Sequence, residues 1–108
     1  MSNFWKDILM AAGDEPIEAV VIGDAPWSRS WQGGDARNKI EQKIGVVLTA
    51  DEARPMLDYE YDEGFGGVDC NPIHAYTPNR ILVVHEYDGS TGVYSVPRNP
   101  SAELPEFV

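Results

Sequence analysis

A chain of 108 residues with eight Lys+Arg against eighteen Asp+Glu carries a formal charge of −10, which fits one domain and disfavours both nucleic-acid backbones and anionic membrane surfaces as partners. Hydrophobic residues at 43% and charged residues at 24% are ordinary globular proportions and argue against wholesale disorder. The lone Cys70 rules out an intrachain disulfide framework, no apolar run reaches the roughly 20 residues of a membrane span, and the first residues lack the character of a secretory signal, so a reducing cytoplasm is the expected setting.

In chain order, Ser2 is expected to cap a helix over residues 3–12. Phe4, Trp5, Ile8, Leu9 and Ala12 fall at helical spacing on one apolar face, and Gly13 supplies the stop. Residues 18–23 read as a strand whose consecutive apolar centre predicts burial on both faces. Residues 24–38 form a long loop with two Trp and two Arg. Residues 40–44 fit either a helical turn or the start of a strand, and 45–48 a strand. Thr49 and Glu52 have the spacing of a capping box, which predicts a short helix to about Leu57 that Pro55 kinks or ends early.

Residues 58–71 are acidic and glycine-rich. Strands are expected at 73–76 and 80–87, with turn chemistry at 88–91 and a return strand over 92–96, making a β-hairpin. Pro97, Pro100 and Pro105 predict an extended tail beside a sheet edge. The fold class that follows is α+β. One domain over 1–100 has a mainly antiparallel sheet of four to five strands, an N-terminal helix and a short second helix, and 101–108 is its tail.

The search for catalytic chemistry assigns no residues. There is no phosphate loop, and Gly64, Gly66 and Gly67 have the wrong spacing for a dinucleotide loop. Cys70 and His74 could form a thiolate pair, but Pro72 interrupts any helix aligning them. His85 and Ser95 are expected on one face of the hairpin, with no nucleophile elbow. Asp58, Glu60, Asp62 and Asp69 match alternate positions of a calcium loop, yet Glu63 stands where that loop needs Gly. The chain is read as a non-enzyme without metal or cofactor.

Two segments suit binding. Asp51, Glu52, Asp58, Glu60, Asp62, Glu63 and Asp69 have only Arg54 as a counter-charge within their span. Interleaved aromatics make Tyr59, Glu60, Tyr61, Asp62, Glu63 and Asp69 candidate contacts for a basic protein surface. The alternative is a solvated edge, with Asp58, Glu60 and Asp62 toward water and Leu57, Tyr59 and Tyr61 inward. In the other segment, Trp27 and Trp31 could stack on a base while Arg29, Arg37 and the distant Arg98 hold phosphates, which suits a small nucleotide better than a polymer. There the alternative is Trp residues sealing the core edge and Arg residues paired with local carboxylates.

Leu48-Thr-Ala-Asp-Glu-Ala-Arg-Pro-Met-Leu-Asp-Tyr-Glu-Tyr, then Gly64-Phe-Gly, Glu86-Tyr-Asp-Gly-Ser-Thr and Ser95-Val-Pro-Arg-Asn-Pro, resemble small uncharacterised proteins of bacteriophages and prophages over roughly residues 45–100. The resemblance implies a mobile-element origin and a host-cytoplasm setting, and it brings no catalytic residues. It points to an inhibitor of a host factor, of the anti-CRISPR or nucleic-acid-mimic kind. A sponge for a nucleotide immune signal and a virion-assembly protein are the alternatives.

Overall fold

Asn3, not Ser2, caps the first helix in the computed structural model, which describes residues 2–24, 40–61, 64, 70–87 and 90–107. The Lys6 backbone N–H donates to Asn3 Oδ1 at 3.0 Å, which frees Ser2 for pairing. Strand β1 (Ser2–Asn3) then runs antiparallel to β3 (Glu60–Tyr61), and α1 (Phe4–Ala12) follows directly. Gly13, at φ 64°, ends α1 by donating its N–H to the Leu9 and Met10 carbonyls. The buried stripe is Phe4, Trp5, Ile8 and Ala12; Leu9, expected on it, is 46% exposed.

The main sheet has the order β2-β4-β5-β6 and is antiparallel throughout. Its strands are β2 (Ala19–Ile22), β4 (Ile73–Tyr76), β5 (Arg80–Tyr87) and β6 (Ser90–Pro97). Ser90 already pairs with Tyr87, so β6 begins two residues before the expected return. Ser90 and Thr91, read as turn residues, belong to the ladder.

Burial along β2 alternates: Val20 and Ile22 are fully buried while Ala19 and Val21 are half-buried. This corrects the expectation of burial on both faces, which belongs to parallel sheets covered by helices on each side. The strand expected at 45–48 reduces to isolated bridges. Val20 and Leu48 exchange both backbone hydrogen bonds, at 2.9 and 2.8 Å, and the Gly45 N–H donates to the Ile22 carbonyl at 3.0 Å. Gly45 itself is at φ 76°, which turns the chain outward and leaves Val47 71% exposed. Residues 40–43 are helical.

Thr49 and Glu52 form the reciprocal capping box of α2 (Ala50–Leu57), the Thr49 N–H donating to Glu52 Oε1 at 2.9 Å and the Glu52 N–H to Thr49 Oγ1 at 3.2 Å. Pro55 sits inside α2, which ends two residues later. Cross-strand partners share a face, so Val20, Ala75 and Leu82 point to one side of the sheet and Val21, His74 and Val83 to the other. The first side meets α1 across β5 and β6, and α2 packs on β2 and α1. Phe4, Ile8, Val20, Ile22, Leu57 and Leu82 are the fully buried apolar centre. No helix among the described residues is long and apolar enough to cross a membrane.

Ion pairs hold the segment after β6. Arg80 donates from both terminal nitrogens to the Glu103 carboxylate, at 2.6 and 3.2 Å, and to Ser95 Oγ and O from Nε and Nη2. The Arg80 guanidinium keeps the Glu103 carboxyl below its ordinary range, as the Thr49 backbone N–H and hydroxyl do for Glu52. The Thr77 hydroxyl and the Asn79 backbone N–H do the same for Glu15.

Because these three carboxyls titrate lower in the folded chain than the ordinary value of 4.5, their contribution is complete above that value and is lost as pH falls through the folded values. Thermal melts should therefore show Tm falling once the pH passes below the unfolded value, and Glu52→Gln should flatten part of that fall. Thr49→Ala, which removes one half of the box, should cost about 1 kcal/mol in urea unfolding at neutral pH.

Candidate functional site

Alternation governs the acidic segment. From the last residue of α2 onward, Leu57 and Tyr61 are buried and Tyr59 half-buried, while Asp58 and Glu60 are exposed. The Phe4 ring lies between the two tyrosines, 5.5 Å from Tyr59 and 5.2 Å, edge-on, from Tyr61. The Tyr61 hydroxyl donates to Asp7 Oδ2 at 2.7 Å. The Tyr59 hydroxyl donates to Asn71 Oδ1 and accepts from the Asn71 N–H, both at 2.9 Å. Asn71 Nδ2 in turn donates to the Gly23 carbonyl at 3.1 Å.

These contacts correct the expectation that Tyr59 and Tyr61 anchor a partner. At 1% exposure Tyr61 has no contact area to offer, and the hydroxyls of both are committed within the chain. The solvated-edge alternative describes Leu57, Asp58, Glu60 and Tyr61 as they stand. Asp62, Glu63 and Asp69 lie outside the described residues.

Four carboxylates of the segment are presented to solvent: Asp51 and Glu52 on the first turn of α2, Asp58 just after it, and Glu60 on β3. Asn3 Nδ2 donates to Asp58 Oδ1 at 2.7 Å and fixes that side chain against the start of α1. A depression of about 400 Å3 between α1 and α2 is lined by Trp5, Lys6, Leu9, Asp51, Arg54 and Asp58. The face is built on capped, packed elements and carries four exposed carboxylates, with Lys6 and Arg54 sharing the depression with Asp51 and Asp58. Among the described residues no three His, Cys, Asp or Glu groups gather into a metal-binding cluster.

The catalytic pairings come apart in the fold. Cys70 is completely buried while His74 is exposed on β4, so no accessible thiol meets the imidazole. His85 and Ser95, expected on one hairpin face, occupy opposite faces. Ser95 pairs with Leu82 on the core side, whereas His85 pairs with Gly92 and packs edge-on to Tyr94 at 5.2 Å. A one-residue offset in cross-strand register is enough to reverse the face.

Of the residues assigned to a nucleotide, Trp27, Arg29, Trp31 and Arg37 lie outside the described residues. Arg98 is engaged: its guanidinium donates to Glu18 Oε1 at 2.6 Å and to the Thr77 carbonyl at 2.8 Å, and lies 5.7 Å from the Tyr76 ring centroid.

Sequence reasoning did not single out Asp7 or Asn71, which hold the two tyrosines from separations of 54 and 12 residues. The usable signal was the phenol itself, since a buried Tyr demands a polar partner. Asp7 and Tyr61 also border a depression of about 320 Å3 with Met10, Thr91 and Val93. Thr91 Oγ1 is buried there and has no hydrogen-bond partner among the described residues.

Comparison with known proteins finds no family model, no curated protein and no solved structure that matches this chain. An unpartnered buried hydroxyl weakens the fold, so Thr91→Val, which preserves the side chain's shape, should raise stability by about 1 kcal/mol in urea unfolding.

Proposed function

We propose that the chain is a non-enzymatic binding protein that inhibits a host factor by occupying a basic surface on it. The observation that carries this reading is the exposure of Asp51, Glu52, Asp58 and Glu60 together on capped and paired backbone. Asp62, Glu63 and Asp69 continue the same acidic run in the sequence. The resemblance to small phage proteins supports a defence protein as the target, and a surface that normally holds nucleic acid is the basic surface such proteins offer.

With Tyr59 and Tyr61 turned inward, recognition rests on charge rather than on aromatic anchors. An excess of carboxylates over Lys6 and Arg54 at exposed positions accelerates encounter and selects among partners more than it adds affinity. Fixed carboxylates on rigid elements lose little side-chain and loop freedom on binding, which favours an occluding complex over a transient encounter. The host cytoplasm is the compartment this reading requires.

The test uses a purified CRISPR effector nuclease with a basic DNA channel as the probe, and follows displacement of bound DNA by the intact chain. Displacement should occur, with an association rate that drops about tenfold or more as salt rises from about 50 to about 300 mM. The variant Asp51→Asn, Asp58→Asn, Glu60→Gln should associate more slowly at low salt while melting near the parent's Tm. Displacement whose rate ignores both salt and the triple substitution would contradict the proposal.

A further inference from the structure

We infer that the outward face of the four-stranded sheet is a docking surface for a second copy of this chain. An antiparallel sheet with its core on one side normally carries polar side chains on the other. Here the register places Val21, Tyr76, Ile81, Val83, Tyr94 and Val96 outward together. His74 and His85 complete the surface with their rings edge-on to Tyr76 and Tyr94, at 6.5 and 5.2 Å. Tyr94 is 46% exposed, and Tyr87, outward near the hairpin tip, is 72% exposed.

No Asp, Glu, Lys or Arg takes an outward position on any of the four strands, although charged residues make up 24% of the chain. The contacts of α1 and α2 with the sheet belong to the core, where Phe4, Ile8, Ala53 and Leu57 meet Val20 and Leu82.

Charge identifies the occupant. A basic partner is drawn to the carboxylates of the α2 and β3 segment and gains nothing from an uncharged sheet. A second copy supplies a surface of the same shape with no charged strand position, the Arg98–Glu18 pair lying against its Tyr76 end, and a twofold axis brings the two into self-complementary contact. It also meets the first with the carboxylate segments of both copies away from the contact. Pairing through strand edges is less open: Leu48 and Ile44 already bridge to β2, and Pro97 removes a donor at the end of β6.

Strands of four, four, eight and eight residues present roughly 400 Å2 in projection, or about 800 Å2 over two copies. That lies at the low end of specific interfaces, so the dimer is weak and reversible. This inference does not rest on the proposed inhibition, and the two readings respond to salt in opposite directions.

Sedimentation velocity on the intact chain, from about 10 to about 500 µM, reads the outcome directly. A monomer–dimer equilibrium should appear in that range, and its dimer fraction should grow with salt as repulsion between two chains of −10 is screened. Val83→Glu and Tyr94→Glu should each shift the midpoint at least about tenfold to higher concentration, with far-UV circular dichroism unchanged, whereas Val83→Thr should leave dimerisation in place. Tyr94→Glu serves as the second variant because its exposed site tolerates charge without entering the core.

A monomer at every concentration would overturn the inference, whether the face is bare or covered by another part of the chain. So would a dimer indifferent to both Glu substitutions, or one that salt dissociates.

Discussion

Phe4 is where the two ends of the acidic face are tied together. Its ring lies between Tyr59 and Tyr61, and its backbone N–H donates to the Tyr59 carbonyl at 2.9 Å. Burying a phenylalanine is worth about 2–3 kcal/mol, and each ring contact adds about 1 kcal/mol beyond area, so the apolar term dominates and the polar bonds set direction. Several features follow from that contact. β1 pairs with β3, α1 is set against the sheet, and Asp7 comes within reach of the Tyr61 hydroxyl. With residues 59 and 61 committed inward, the extended backbone sends Asp58 and Glu60 outward. The acidic surface is therefore a consequence of aromatic burial at alternate positions.

What was legible in the sequence was local. The α2 capping box closes between residues three apart, and the hairpin of β5 and β6 is announced by alternating strands around Asp-Gly. The α1 stop at Gly13 needs one residue that adopts a positive φ. Where reading failed, the deciding partner lay far along the chain. Tyr61 looked like contact surface because Asp7, 54 residues away, supplies the acceptor that makes its burial tolerable. Arg98 looked like a phosphate ligand until Glu18, 80 residues away, took its guanidinium. His85 and Ser95 were placed together only because the register of β5 on β6 is not written in either strand alone.

The α+β architecture divides its surface by charge. Four exposed carboxylates stand where α2 and β3 meet the start of α1, beside Lys6 and Arg54, while no strand position on the outward side of the main sheet carries a charged residue. A chain of −10 that spread its charge evenly would meet every copy of itself with repulsion and every basic surface without preference. The proposed inhibition uses the first side and the proposed dimer the second. Neither side needs a reacting group.

Native-state hydrogen exchange at the Phe4 amide tests the central role given to the aromatic clasp. If the clasp holds the fold together, that amide should exchange only through global unfolding, with the same opening free energy and denaturant dependence as the Leu82 amide in the core of β5. Exchange of Phe4 through a low-energy local opening, with Leu82 still protected, would show that the N-terminal segment and the acidic face ride on an independently stable sheet, contradicting the account.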